Sequence, residues 1–286
     1  MKAKLYYFLL LLIMACLPQL VFAQASGGAI KRPVKKPTTT TAPAKPNKPT
    51  PKPTITTNSD YSQTISFKGV SFKMIRVDGG IFTMGATSEQ GYDAYSDEKP
   101  THQVTLSTYY IGETEVTQAL WEAVMGSNPS YFKGANRPVE NVGWNECQTF
   151  ISKLNSITGK KFRLPKEKEW EYAAKGGSRS HGYEYSGSNE INDVAWYDSN
   201  ACDGVGSNSP DYGTHNVKTK KPNELGIYDM SGNVYEWCED LYDSSGSYRV
   251  RRGGSWDYGA RGCRVSNRDS STPVYRSYFL GLRLAL

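Results

Sequence analysis

Asn233 and Glu236 lie three positions apart on a tight segment, inside the stretch NELGIYDMSGNVYEWCEDLY that runs from Asn223 to Tyr242. Residues of these types do simple work in most proteins: Asn233 can cap a turn and Glu236 can pair with an arginine. Sulfur is the second candidate chemistry. Besides Cys16 the chain has Cys147, Cys202, Cys238 and Cys263, an even set that allows two disulfides in three pairings, or four buried thiols. None forms a CxxC pair, and His102, His181 and His215 are scattered, so a zinc site is not supported. Ser255, in Arg252-Gly253-Gly254-Ser255-Trp256, has no histidine placed by pattern to activate it, which argues against Ser-His-Asp hydrolysis.

The elements that must position these residues can be read in order. Leu225, Ile227, Tyr228, Met230, Val234, Tyr235 and Trp237 surround Gly226 and Gly232, a mixture that reads as an irregular core and not as a regular helix or strand. Upstream, Ile65 to Met84 alternates apolar and polar residues and predicts two or three strands, and Gln103 to Ile111 predicts another. Three helices are expected: Glu115 to Gly126 with Thr117 as its cap and Ala119, Leu120, Ala123 and Val124 as its stripe, Trp144 to Thr158 ending at Gly159, and Glu167 to Lys175 with Trp170, Ala173 and Ala174 inward. From Ser178 to Lys221 periodicity fades, and so long an irregular region is expected to be functional or held by metal or disulfide. Arg249 to Trp256, Cys263 to Arg268 and Phe279 to Leu286 read as strands, and no internal repeat is present.

The amino-terminal part has a different character. Lys2 and Lys4 precede an apolar run broken by Pro18 and Gln19 and closed by Val-Phe-Ala at 21–23, the pattern of an export signal over residues 1–23, cleaved after Ala23. A membrane span needs about 20 unbroken apolar residues, which this run lacks. Lipid attachment at Cys16 is the alternative. Residues 24–64 are rich in Pro, Thr and Lys and too poor in apolar residues to offset ordering entropy, so an extended, solvated linker is expected there. The formal charge of +6 belongs wholly to the residues before Ile65, and the remainder is acidic by two. A basic average therefore implies no nucleic-acid face on the folded part; at most the tail clings to an anionic envelope surface.

Seven short motifs then occur in one order: Gly79-Gly80-Ile81-Phe82-Thr83-Met84-Gly85, Glu115-Val116-Thr117, Pro138-Val139 with Trp144-Asn145, Arg163-Leu164-Pro165 with Glu169-Trp170-Glu171-Tyr172-Ala173-Ala174, Gly226 to Trp237, Arg252 to Trp256, and Gly281-Leu282-Arg283. In that order they resemble the formylglycine-generating enzyme family, the sulfatase-modifying-factor domain, over residues 65–286. The resemblance implies an α+β fold close to that of C-type lectins, with low regular secondary structure, short antiparallel sheets and about three helices, stabilised by calcium. It implies side-chain calcium donors at Asn233 and Glu236 and backbone donors near Ser231 and Val234, oxygen ligands on a short loop suiting this hard cation. A second calcium site would lie near Asp193-Val194 and the Asp211–Gly213 loop.

The resemblance weakens at the chemistry. Active members hold copper(I) with two cysteine thiolates, three and eight residues after the serine of the Gly-Gly-Ser motif, and use oxygen to convert a sulfatase cysteine to formylglycine. Counted from Ser255, those places are Tyr258 and Cys263. One thiolate does not make a two-coordinate copper(I) site, and a phenol with a pKa near 10 stays protonated at neutral pH. Ser255 and Cys263 are thus the only catalytic positions that carry over, and copper is not expected. The helix before Trp170 begins with Lys166 where the family has a threonine cap, and the helix at Trp144 begins after Gly143. The iron-dependent sulfoxide synthases that share this domain need a histidine cluster on a separate helical domain, and none precedes Ile65. The expected function is a non-catalytic binding or structural module, exported to the periplasm, cell surface or medium, with a protein or glycan of the cell envelope as ligand. An oxidase with a rearranged copper site is the alternative.

Overall fold

Alternating apolar side chains and two-residue turns build the first sheet of the computed structural model, which describes residues 52–59, 61–91 and 94–286. The export segment, Cys16 and most of the 24–64 linker lie outside the described residues. Strand β1 (Thr54–Ser59) pairs antiparallel with β2 (Ser62–Phe67), so regular pairing begins inside the stretch read as linker. Thr54, Ile55, Thr56 and Thr57 are strand-favouring residues, and they form an exposed edge. Lys68 and Gly69, with φ of 48° and 80°, make the tight turn into β3 (Val70–Val77).

Next come β4 (Gly80–Met84), β5 (His102–Leu106) and β6 (Tyr109–Gly112). The single strand expected over Gln103–Ile111 is therefore two, which enter different sheets. Backbone contact explains the break. The Leu106 carbonyl oxygen lies only 2.4 Å from where a Cβ on Gly79 would stand, and the Gly79 N–H donates to Thr108 Oγ1 at 3.1 Å.

Helix α1 (Gln118–Met125) is capped by Thr117, whose Oγ1 accepts from the Leu120 N–H, and stops at left-handed Gly126. Its buried face is Gln118, Leu120 and Trp121, rotated from the expected stripe because Trp121 stacks on Phe150 of α2 (Trp144–Thr158) at 4.9 Å. Helix α3 (Glu167–Ala174) buries Trp170, Ala173 and Ala174 as its pattern requires. The capping bond that Lys166 cannot make is replaced in part by Glu169, whose Oε2 accepts from the Lys166 N–H, and Glu146 does the same for Gly143. Two single-turn helices, α4 (Ile191–Val194) and α5 (Asp198–Ala201), follow, so the described residues hold three full helices and two short ones.

The carboxy-terminal sheet has the order β10-β7-β8-β9, built from β7 (Tyr235–Leu241), β8 (Arg249–Arg252), β9 (Arg268–Ser271) and β10 (Leu280–Leu282). Tyr235–Leu241 is thus a regular strand, contrary to its reading as irregular core. It lies inside the sheet, and the unbroken burial of Tyr235 to Cys238 hides the alternation of a half-exposed strand. The β7–β10 pair is parallel, the one departure from antiparallel pairing among these sheets. Cys263 ends a short 3-10 turn rather than opening a strand. The core contains the fully buried Trp170, Trp237 and Trp256.

The irregular 178–221 region is held by backbone bonds. The Asn233 N–H donates to Trp196 O, Gly213 to Ala201 O, and Lys221 to Asp193 O, while the Lys221 ammonium pairs with the Asp193 carboxylate. Cys147, Cys202, Cys238 and Cys263 are free thiols, which decides between the two readings of the cysteines. Among the described residues no helix is long and apolar enough to cross a membrane.

Candidate functional site

The 229–236 loop is shaped by close approach. At Gly232 φ is 80°, and a Cβ would stand 2.2 Å from the Trp196 carbonyl oxygen, so no larger residue fits without movement. Asn233 follows with φ of 62°, a conformation asparagine tolerates better than most residues. Its side chain is fully engaged: Oδ1 accepts from the His215 N–H at 2.9 Å, and Nδ2 donates to Glu115 Oε2 at 2.8 Å. Asn233 is therefore a clamp between two loops, and its Oδ1 keeps a second lone pair beyond the bond from His215.

Glu236 is the second residue of strand β7 and is completely buried. Arg283 meets it with Nη2 at 2.6 Å from Oε1 and Nε at 2.9 Å from Oε2, and the Trp170 indole N–H donates to Oε2 at 2.6 Å. Arg283 also donates to the carbonyls of Gly112 and Tyr228, so this one guanidinium ties β6, the 228 turn, β7 and the carboxy terminus together. Glu115 completes the centre, accepting from the Val234 N–H at 3.0 Å. Burial, then the nearby Asp229 and Glu236 charges, push the Glu115 carboxyl well up, and burial pushes Asp229 up to about 6.

Three enclosed acid groups against one guanidinium repel one another and so favour the protonated forms of Glu115 and Asp229; a divalent cation beside them would favour the ionised forms instead. Among the described residues no three His, Cys, Asp or Glu side chains converge to hold a metal. A calcium ion here would draw on backbone carbonyls of the Ser231–Val234 loop and would share Glu236 with Arg283. It would supply charge neutralisation.

Ser231 points away from this centre. Its Oγ donates to Cys263 O at 2.8 Å and accepts from the Ser186 N–H, while the next residue's N–H, that of Gly232, donates to Gly253 O at 2.8 Å and locks the loop to the Gly253–Ser255 turn. That turn has φ of 100° and 72° at Gly253 and Gly254, and a Cβ on Gly254 would lie 2.7 Å from Cys263 Sγ. The Ser255 hydroxyl donates to Asp257 Oδ1 at 2.8 Å. Cys263 is wholly buried, and burial pushes its thiol up to about 12, helped by the Asp198 charge. Tyr258, three residues after Ser255, packs edge-on to Tyr235 at 5.0 Å and near Phe279 at 5.6 Å. Cys147 and Cys238 lie in two other apolar clusters, and Cys202 is half-buried beside Asp203. A buried, protonated thiol facing a tyrosine does not fit a two-thiolate copper(I) ion.

Above this turn the surface is aromatic. Tyr131, Tyr275 and Tyr278 are 71%, 41% and 46% exposed, and Val274 beside them is 72% exposed. They rest on Phe132, Trp256 and Phe279 with ring centroids 4.9–6.4 Å apart. Glu140 supports one side from below, fully buried, its Oε1 accepting from the Phe132 N–H at 2.8 Å. The sequence shows these aromatics, but in two loops more than a hundred residues apart, and nothing in their spacing unites them. Glu115 also escaped assignment; its only signal was its place in the Glu-Val-Thr motif.

Comparison with known proteins places these features in context. The model of the sulfatase-modifying factor enzyme 1-like domain matches residues 66–286. Chaperone protein LppX of Paenibacillus barcinonensis is 38% identical over a match spanning 65% of this chain and 79% of its own length. The formylglycine-generating enzyme of Streptomyces coelicolor is 30% identical, spanning 74% and 88%. Among solved structures, Treponema denticola variable protein 1 superposes with a TM-score of 0.68 at 36% identity, covering 79% of this chain and 99% of that one.

Proposed function

Because the chain belongs to the sulfatase-modifying factor enzyme 1-like family, we propose that it is a non-catalytic binding module of that family, exported and acting on a protein or glycan of the cell envelope. The observation that carries this reading is the sulfur count beside Ser255: Cys263 alone, buried and pushed up to about 12, with Tyr258 in the other position. The family relatives include a protein named as a chaperone as well as a named enzyme, so the scaffold serves more than one role. Export rests on the charged, apolar and small-residue order of residues 1–23, with Cys16 lipidation as its variant.

The aromatic face over Ser255 is the ligand surface in this reading. Clustered exposed aromatics on a soluble domain mark interaction sites, and tyrosine offers flat apolar area plus a hydroxyl at low entropic cost. Calcium at the Ser231–Glu236 loop is part of the proposal as a structural ion, supported by the gathering of three acid groups, Glu115, Asp229 and Glu236, around the single guanidinium of Arg283.

Oxygen uptake and copper(I) stoichiometry are measured for the purified full chain with a Cys-x-Pro-x-Arg peptide. The expected result is no peptide-dependent uptake and no stoichiometric copper. Uptake that disappears in Cys263→Ala overturns the proposal in favour of the rearranged oxidase. Binding of envelope extract fractions, lost in Tyr131→Ala with Tyr278→Ala while the melting temperature holds, is the positive counterpart.

A further inference from the structure

A cleft of about 430 Å³ opens between the β2–β3 hairpin, the Gly112–Thr117 connection and the Val217–Lys218 segment, and none of its lining belongs to the aromatic face. Its apolar wall is formed by Val70 and Phe72 from β3 and Ala119 from α1, backed by the buried Leu120 and Leu284, and polar residues such as Ser71, Thr117 and Asn136 line the rest. Its polar groups are unevenly charged. Lys73 Nζ lies 3.3 Å from Glu113 Oε1 and Lys218 Nζ lies 2.8 Å from Glu113 Oε2. Two ammonium groups share one carboxylate at the outer edge of the cleft, while Glu115, which also lines it, is buried and turned to Asn233 and the Val234 N–H. The lysine side chains are 37% and 41% exposed and that of Glu113 only 14%, which puts the cations outermost.

Lys218 is also held in place at a cost. Its φ is 67°, in the left-handed region that side chains with a Cβ disfavour, and its N–H donates to the buried Asp229 carboxylate at 2.9 Å. Strain of this kind persists only where the surroundings over-determine it, and it concentrates at functional positions. The result is an ammonium delivered to one edge of the cleft, opposite a second ammonium from a strand far away in sequence.

We propose that this cleft binds a single-chain amphiphile with a carboxylate head, its alkyl chain against Val70, Phe72 and Ala119 and its head between Lys73 and Lys218. The volume lies near the lower end of the range for small-molecule sites, about 300–1,000 Å³, which favours one chain over two. A carboxylate head supplies the acceptor that two lysines sharing Glu113 lack, and a neutral or cationic head does not. The proposal goes beyond the binding-module reading and does not depend on the aromatic face.

Titration calorimetry of the full chain with decanoate, decanol and decyltrimethylammonium tests it. Decanoate is expected to bind one per chain and at least tenfold tighter than decanol, with decyltrimethylammonium weaker than either. Glu113→Gln releases both ammonium groups, so it is expected to tighten decanoate severalfold and leave decanol unchanged, a gain that a damaged fold does not produce. Ala119→Phe fills the cleft and is expected to abolish both. Absence of saturable decanoate binding, equal affinity for decanoate and decanol, or Glu113→Gln that fails to tighten decanoate overturns the proposal. Binding that survives Ala119→Phe in a folded protein overturns it as well.

Discussion

Glu140→Gln isolates a pH dependence built into the support of the aromatic face. Glu140 is fully buried beneath the loop carrying Tyr131 and Phe132, and its Oε2 has no hydrogen-bond partner. Burial pushes its carboxyl up to about 7, against the opposing pull of the Phe132 and Tyr131 amides and of Lys133. An unfolded glutamate has released its proton above about 4.5. Between these values the folded protein holds a proton that the unfolded chain has lost, so stability falls as pH rises through the window. At about 1.4 kcal/mol per pH unit the loss approaches ~3 kcal/mol by pH 8, or roughly 6–12 °C in melting temperature for a domain of this size. Glutamine keeps an acceptor for the Phe132 amide and carries no ionisable proton. Urea unfolding of both proteins at pH 4.5, 6 and 8 is expected to show a difference near zero at the acid end that grows to about 3 kcal/mol in favour of Glu140→Gln. Titrations elsewhere in the molecule cancel in that difference. A difference that stays flat with pH to within ~0.5 kcal/mol would refute the reasoning, because the carboxyl would then titrate alike in both states.

Other perturbations test the buried centre and the backbone. Arg283→Met leaves the Glu236 carboxylate enclosed without its counter-ion and is expected to cost about 3–5 kcal/mol in chemical denaturation, with Glu236→Gln in the same chain restoring a large part. A loss under ~1 kcal/mol would mean that the pair is not desolvated as the geometry requires. Gly232→Ala drives a Cβ onto the Trp196 carbonyl at φ of 80° and is expected to cost well over ~2 kcal/mol. Gly126→Ala, at a similar φ but with open space around it, is expected to cost only about 1 kcal/mol, and equal costs would sink the steric account.

Helices were the most legible part of the fold. Thr117, Gly126 and Gly159 mark helix ends by local chemistry alone, and the apolar stripes of α2 and α3 face inward as their spacing requires. Strands were less so. Gln103–Ile111 reads as one strand because alternation does not record the Gly79–Leu106 approach that splits it. Tyr235 to Cys238 is buried without interruption and so lacks the alternation that would announce a strand. Thr54–Ser59 looks like linker because an edge strand needs little apolar content when its partner supplies the ladder.

The sequence by itself determined the family, the three full helices and the absence of a second thiol after Ser255, since each depends on residue identity or short-range spacing. The tertiary structure alone decided what those residues do. It turned Asn233 into a clamp on Glu115 and His215, gave Glu236 to Arg283 and Trp170, and sealed Cys263 behind Gly254. It gathered the loops of Tyr131 and Tyr278 into one face and set Lys73 opposite Lys218 across Glu113. Charge and burial act through space, and the partners stand from nine residues apart, for Gly254 and Cys263, to more than a hundred, where no local pattern connects them.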